Sequence, residues 1–522
     1  MITSPFIRRG IQQHLSVSKW KAINRGCSLQ KVRMCHASDS SMDLTNGSYP
    51  ASTVHSRRTY RSSNGPNQMA ISQVNHILKA NEYSYRVTDG RSGGSVTGFD
   101  SNILASNSPS EDRRSTATCL QSRGMIFGVF DGHAGSACAQ AVSERLFYYI
   151  AVSLLPLQTL LDIEEAVENE RPVMPMLQWH KHPNDYVSTD AGKLYFNSLR
   201  TYWQERIDLL REDVEEEGIQ AALTNAFKRL DSDISLEAQV HSGSGGDSGD
   251  AHSHFTPLRV AMSGCTACVA HVDGEDIRLA NLGDSRAVMG VQEADGSWSP
   301  LTLTNDHNAQ NPDEMQRVLS EHPHLERKTV VKHERLLGQL LPFRAFGDVK
   351  FKWSSELLSH MSEARPEIHS PGNEFGKMVP SNYHTPPYLI AEPEVMHHQL
   401  RPQDKFLILA TDGLWELMHR QKVVQVIGEH LSSLHWQKPL TAMSFTLGQM
   451  HRLLQERRRR AQSALEDENS ATHLLRHALG SDGFGSVEPR RLAKMLSLPK
   501  DLARMYRDDI TIVVIHFNNP IM

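Results

Sequence analysis

The apolar runs of this chain repeatedly stop at carboxylates. Met125 to Phe130 leads straight into Asp131-Gly132-His133. Phe406 to Ala410 is followed after one threonine by Asp412-Gly413, and Asp508-Asp509 stands immediately before Ile510 to Phe517. A further acidic pair, Glu111-Asp112, lies upstream of these runs. Taken singly, an Asp-Gly is a turn former or a helix cap. Taken together, carboxylates converging from several strand ends would repel one another and lose hydration unless a cation neutralises them. A hard divalent ion such as Mg²⁺ suits such a set, because it takes oxygen ligands and few carboxylates, unlike the His and Cys ligands of a zinc site. Gly132 would also let its backbone carbonyl come close to an ion.

The runs themselves predict the architecture. Met125 to Phe130, Gly264 to Val272, Ile277 to Ala280, Ala287 to Val291, Phe406 to Ala410 and Ile510 to Phe517 are rich in β-branched or aromatic residues and read as strands. Helical spacing occupies Ala137 to Leu155, the stretch from Lys193 through Val214, and a segment from Ile219 through Leu230. Strand pairs and helices follow no strict βαβ rhythm. The expected fold is therefore α+β, with antiparallel sheets covered by helices rather than a doubly wound parallel sheet. No apolar run approaches the roughly 18 to 20 residues of a membrane-spanning helix, and no repeat is evident.

Charge separates the ends of the chain. The formal net charge is -5, too balanced to imply a nucleic-acid partner. Residues 1–38 nevertheless hold Arg8, Arg9, Lys19, Lys21, Arg25, Lys31 and Arg33 and no Asp or Glu, which reads as a mitochondrial transit peptide. Residues 1–70 are expected to be this address plus a disordered leader, and 71–522 the folded domain, with insertions near 156–255, 354–385 and 430–505. Asp89 to Gly98 and Ser242 to Gly249 read as Gly-rich loops, and the arginine run at 457–460 as a solvated helix face or a dock for an acidic partner. Cys265 and Cys268 form a C-x-x-C, but in a strand they would face opposite sides, so zinc or redox chemistry is not expected there.

The order of these segments carries a resemblance. Glu111-Asp112, Val129 to Gly135, Ser263 to Ala267, Ala280 to Arg286, Arg344 to Asp348, Ala410 to Trp415 and Arg507 to Thr511 are similar, in sequence order, to the motifs of the protein phosphatase 2C family of metal-dependent Ser/Thr phosphatases. The resemblance implies an α/β sandwich with two Mg²⁺ or Mn²⁺ ions between its sheets. By this likeness Asp131 is the bridging carboxylate, Gly132 offers its carbonyl, and Asp412 and Asp508 bind the other ion. Asp508 matches better than Asp509, which stands where the family usually has Asn. Glu111 and Asp112 match residues that orient waters on the metals, Asp284 one tied to a possible third metal, and His133 the general acid. Hydrolysis would then proceed by direct attack of water on phosphorus, with no phosphoenzyme. The family commonly has an arginine four residues before the acidic pair that grips the substrate phosphate. Here that position is Asn107, Arg113 and Arg114 are only possible substitutes, and the grip stays unassigned.

Longer strings, Gln140 to Ile150, Leu177 to Asn184 and Arg401 to Phe406, resemble the mitochondrial branch of that family that acts on the pyruvate dehydrogenase complex. That likeness implies a matrix enzyme whose substrate is the phosphorylated pyruvate dehydrogenase component. It also implies a Ca²⁺-assisted dock on the lipoyl domain of the dihydrolipoyl acetyltransferase core, and a regulatory subunit. No EF-hand loop is present, so Ca²⁺ is expected at the partner interface instead. The alternatives are an inert phosphatase-fold binding module and an active member with a cytosolic substrate.

Overall fold

Side-chain alternation along the strands decides what each layer of this fold is made of. The computed structural model describes residues 69–87, 94–185, 192–211, 218–240, 257–364, 378–437, 448, 450–452, 467–482 and 486–519. The basic leader through residue 68, the Gly-rich 242–249 and the arginine run at 457–460 lie outside them. The strands in chain order are β1 (Tyr83–Arg86), β2 (Val96–Leu104), β3 (Arg113–Cys119), β4 (Met125–His133), β5 (Leu177–Trp179), β6 (Gly264–Asp273), β7 (Asp276–Leu282) and β8 (Arg286–Gln292). They continue with β9 (Trp298–Thr302), β10 (Val331–Lys332), β11 (Arg335–Leu336), β12 (Phe346–Gly347), β13 (Glu394–Gln399), β14 (Asp404–Ala410) and β15 (Ile510–Phe517).

Two antiparallel sheets result. The first runs β1-β2-β15-β14-β8-β9, the second β13-β7-β6-β4-β3-β5 with β12 added beside β6, and β10 and β11 form a small hairpin apart. In β4, Met125, Phe127 and Val129 point into the core between the sheets, while Ile126 and Phe130 point outward to helices. β14 and β15 do the same from the other sheet: Leu407, Leu409, Val513 and Ile515 enter the shared core, while Phe406, Ile408, Ile512 and Val514 meet a second helical layer. Cys265 and Cys268 likewise fall in different core layers, as their spacing along a strand requires.

Helices cover both outer faces. Ala137–Leu154 lies on the second sheet and is covered in turn by Gly192–Arg211 and Ile219–Val240, which bring Trp203 and Phe227 into the same core. On the first sheet, Arg420–Gln437, Ser470–Gly480 and Pro489–Leu496 bury Val423, Ile427, Leu474, Leu475 and Leu492. Within 430–505, then, the described helices are structural walls of the domain. Among the described residues no helix is long and apolar enough to cross a membrane.

Several boundaries differ from those expected, two of them near the site or its sheet. The loop expected from Asp89 to Gly98 ends earlier, because Val96 and Gly98 already pair with Phe517 and His516 of β15. β4 runs past Phe130, because Asp131, Gly132 and His133 pair with Thr266, Cys265 and Gly264 of β6. The carboxylate is thus held inside the ladder rather than in a turn after it.

A buried ion network anchors the segment that returns beneath the site. The Glu314 carboxylate, all but buried, accepts bonds from Arg344 at 2.6 and 2.8 Å and from Arg317 at 2.5 Å. Burial pushes its carboxyl up, but the two guanidiniums outweigh that and bring it down to about 2. Glu314→Gln leaves Arg344 without a carboxylate partner and Arg317 with Glu321 alone, and should cost about 3 kcal/mol at pH 7. Because the folded-state value is depressed, the native advantage is full above the ordinary carboxylate range and fades as pH falls toward 2. Denaturant unfolding of both proteins should show a clearly smaller gap at pH 3 than at pH 7.

Candidate active site

Both sheets contribute carboxylates to one cavity. Asp131 comes from the end of β4, Asp284 from the turn between β7 and β8, and Asp412 opens the short helix Asp412–Trp415 that follows β14. Each offers one carboxylate oxygen, and the three oxygens lie within 4.8 Å of one another, the one such group among the described residues. Burial, followed by repulsion from the neighbouring aspartates, raises the Asp131 carboxyl well above its usual range. The same causes push Asp412 up to about 7, and burial followed by Asp306 pushes Asp284 up to about 6. An all-oxygen donor set this close fits a hard divalent cation, which would relieve the repulsion and hold the groups ionised. Asp508 lines the same cavity, of about 330 Å³, as do Gly132 and His133. A side chain at Gly132 would meet the Glu111 carbonyl oxygen at 2.5 Å and the Ala139 methyl at 2.9 Å, so only glycine fits.

A second layer of acids holds the cavity's frame. Asp112 is buried and accepts hydroxyl bonds from Thr411 at 2.9 Å and Thr511 at 2.7 Å, tying the ends of β14 and β15 together. Its carboxylate is absent from the cavity wall. Asp509 turns the other way from Asp508 and gathers the loop before β3, accepting from the amides of Ser106, Asn107 and Glu111 and the hydroxyl of Ser110. Burial works against its charge, but those amides prevail and keep its carboxyl low. Glu111 accepts from the Gly135 amide at 2.6 Å through Oε1 and from Arg504 at 2.8 Å through Oε2.

His133 is held by a partner that sequence reading left without a role. Its Nε2 lies 2.5 Å from Oδ2 of Asp348, a residue in the left-handed region with φ of 49°. Burial alone would lower the imidazole's basicity, but the Asp348 carboxylate outweighs it and raises it. The pair needs Gly264 opposite it in β6, since a methyl there would collide with both His133 Nε2 and the Asp348 carboxylate. The Arg344 to Asp348 string signals Asp348 in the sequence, but nothing local ties it to a histidine 215 positions away.

The arginines following the acidic pair are committed elsewhere. Arg113 bonds Gln140 and the carbonyls of Ser110 and Asp112, and buried Arg114 bonds Asp185 and the Asn81 carbonyl. Neither lines the cavity; the cations that do are Arg335, Lys350 and Arg504. No spacing in the sequence marks these three. If the clustered aspartates are a repulsive liability relieved by metal, Asp131→Asn should raise the melting temperature in EDTA. The same change should weaken Mn²⁺ affinity at least about tenfold, read by thermal shift against Mn²⁺ concentration.

Residues 176–467 match the family profile Protein phosphatase 2C. The human protein "[Pyruvate dehydrogenase [acetyl-transferring]]-phosphatase 1, mitochondrial" is 63% identical over 456 residues, covering 86% of this chain and 83% of its own length. The human phosphatase 2 of the same name is 49% identical, covering 87% and 84%. A Protein phosphatase 2C homolog of Schizosaccharomyces pombe is 33% identical over 307 residues, covering 58% of this chain and 63% of its own. With the profile spanning more than half of the chain and relatives of that identity along most of it, the chain belongs to the protein phosphatase 2C family.

Proposed function

We infer that this chain is a metal-dependent protein serine/threonine phosphatase that removes phosphate from seryl residues of the pyruvate dehydrogenase component, and so reactivates that complex. One observation carries the chemistry: the carboxylate cluster of Asp131, Asp284 and Asp412 shares a single cavity with Asp508 and the paired His133. The substrate rests on the names of relatives 63% and 49% identical to this chain.

Asp131, the Gly132 carbonyl, Asp412 and Asp508 would hold two Mg²⁺ or Mn²⁺ ions, with Asp284 available to a third. Bound ions of this kind acidify water and neutralise charge on a phosphoryl group. The remaining work belongs to the chain. His133, whose basicity Asp348 raises, is held through Nε2 by that carboxylate and would supply the proton that the departing serine oxygen takes. Asp348 fixes the ring as the proton leaves, so the imidazole need not reorient. Glu111 and Asp112 stand behind the ligands, where Glu111 can orient water and Asp112 holds the two threonines at the strand ends.

The same reading places the protein in the mitochondrial matrix, addressed by the basic leader before about residue 70. It adds a Ca²⁺-assisted dock on the lipoyl domain of the dihydrolipoyl acetyltransferase core, and a regulatory subunit. The names of the relatives support a mitochondrial setting; the matrix, the dock and the regulatory subunit rest on the resemblance of the sequence strings alone. Docking of this sort raises the local concentration of substrate.

The test is Mg²⁺-dependent phosphate release from phosphorylated pyruvate dehydrogenase. It should vanish in EDTA and in Asp131→Asn, and increase with lipoyl-domain core plus Ca²⁺. Metal-dependent action on generic phosphopeptides without that increase would retain the phosphatase and discard the substrate. His133→Ala should lower turnover of phosphoserine about 100-fold or more. The loss should be much smaller with p-nitrophenyl phosphate, whose leaving group needs no proton; equal losses on both would remove the proton-donor role.

A further inference from the structure

We propose that Arg504 is the side chain that takes hold of the substrate's phosphate. The inference rests on the phosphatase reading above and assigns a contact which that reading leaves open. A phosphate ester brought to the carboxylate cluster needs hydrogen-bond donors of its own, because the surrounding protein charge is negative. Of the three cations lining the cavity, Arg504 is half-exposed and is held by two bonds to side chains.

Its Nη1 donates to Glu111 Oε2 at 2.8 Å and to Asn107 Oδ1 at 2.7 Å. Glu111 is itself pinned through Oε1 by the Gly135 amide at 2.6 Å, two residues beyond His133. The guanidinium is therefore tied, through one shared carboxylate, to the loop that carries the proton donor. Both anchoring bonds use one nitrogen, so the hydrogens on Nη2 and Nε remain to be given to a ligand. Asp508 and Asp509 attract the same group.

The other two cations are less suited. Lys350 is a point charge set against Phe351 and facing the Asp348 carboxylate, and burial pushes its ammonium down. Arg335 stands on the β10–β11 hairpin with its Nη1 on the Gln339 carbonyl at 3.1 Å. A planar fork of donors matches two phosphoryl oxygens where an ammonium does not, and a fork already held by two bonds loses little freedom on binding. The ligand class is a phosphate monoester of a seryl residue, together with its product, inorganic phosphate.

The experiment uses the full chain at saturating Mn²⁺, with p-nitrophenyl phosphate as substrate and inorganic phosphate as inhibitor. Arg504→Ala should raise both KM and the phosphate inhibition constant about tenfold or more, with the Mn²⁺ activation curve unmoved. Asn107→Arg placed in the Arg504→Ala background should recover much of the lost phosphate affinity, since position 107 touches the same nitrogen. An unchanged inhibition constant in an active Arg504→Ala protein overturns the proposal. So does a loss explained wholly by a shifted Mn²⁺ curve, for then Arg504 only balances Glu111. Absence of Mn²⁺-dependent hydrolysis in the unaltered chain would instead fell the phosphatase reading, and this inference with it.

Discussion

Repulsion among Asp131, Asp284 and Asp412 is the constraint around which the rest is arranged. Three carboxylates with oxygens inside 4.8 Å of one another are unstable company away from water. They stay together because each is mounted on a different stiff element: a strand end, an inter-strand turn and a helix start. Both sheets are needed for this, since β4 and β7 belong to one and β14 to the other. The hydrophobic layer between them, with Phe127, Val129, Leu407, Leu409 and Val513, supplies the cohesion that opposes the charge. Stability is thus given up locally at the cavity and recovered from the apolar interior.

How much of this was visible in the residues alone depends on the range of the interaction. Asp131 and Asp412 announce themselves because a carboxylate ending an apolar run is locally anomalous. The paired sheets were visible as well, since period-two alternation and β-branched content are local properties. Asp348 lay in a recognisable string, yet its partner His133 is brought to it only by β6 and the Gly264 gap. Arg504 had no signal at all: it meets Glu111 and Asn107 across nearly four hundred residues. Arg113 and Arg114 show the converse case, where closeness in sequence to the acidic pair made them candidates for a phosphate grip that the sequence left unassigned. Strand alternation and the competing partners Gln140 and Asp185 send those side chains elsewhere.

The outer helices matter to the site through rigidity rather than contact. Ala137–Leu154 begins directly beyond the bend at 134–136 that follows β4, and its Arg145 forms a buried pair with Glu237 of Ile219–Val240, at 2.6 Å. That second helix also carries Asp231, which accepts from the Gly347 amide and from Lys352 on either side of Asp348. The segment presenting Asp348 to His133 is therefore braced from behind by a helix remote in sequence. Buried charge of this kind is a poor source of net stability, but it is costly to satisfy in any second arrangement.

Asp508 and Asp509 sit side by side and face opposite tasks, one the cavity and the other the loop from Ser106 to Glu111. A slip of β15 by one residue in one direction would bring Asp509 to the cavity and Ile510 to the loop, and in the other Asp508 to the loop and Arg507 to the cavity. In either case one of the two tasks is left without its carboxylate. Catalytic competence is in this sense a readout of register: a chain that pairs this strand wrongly could bury similar apolar area and still have an incomplete site.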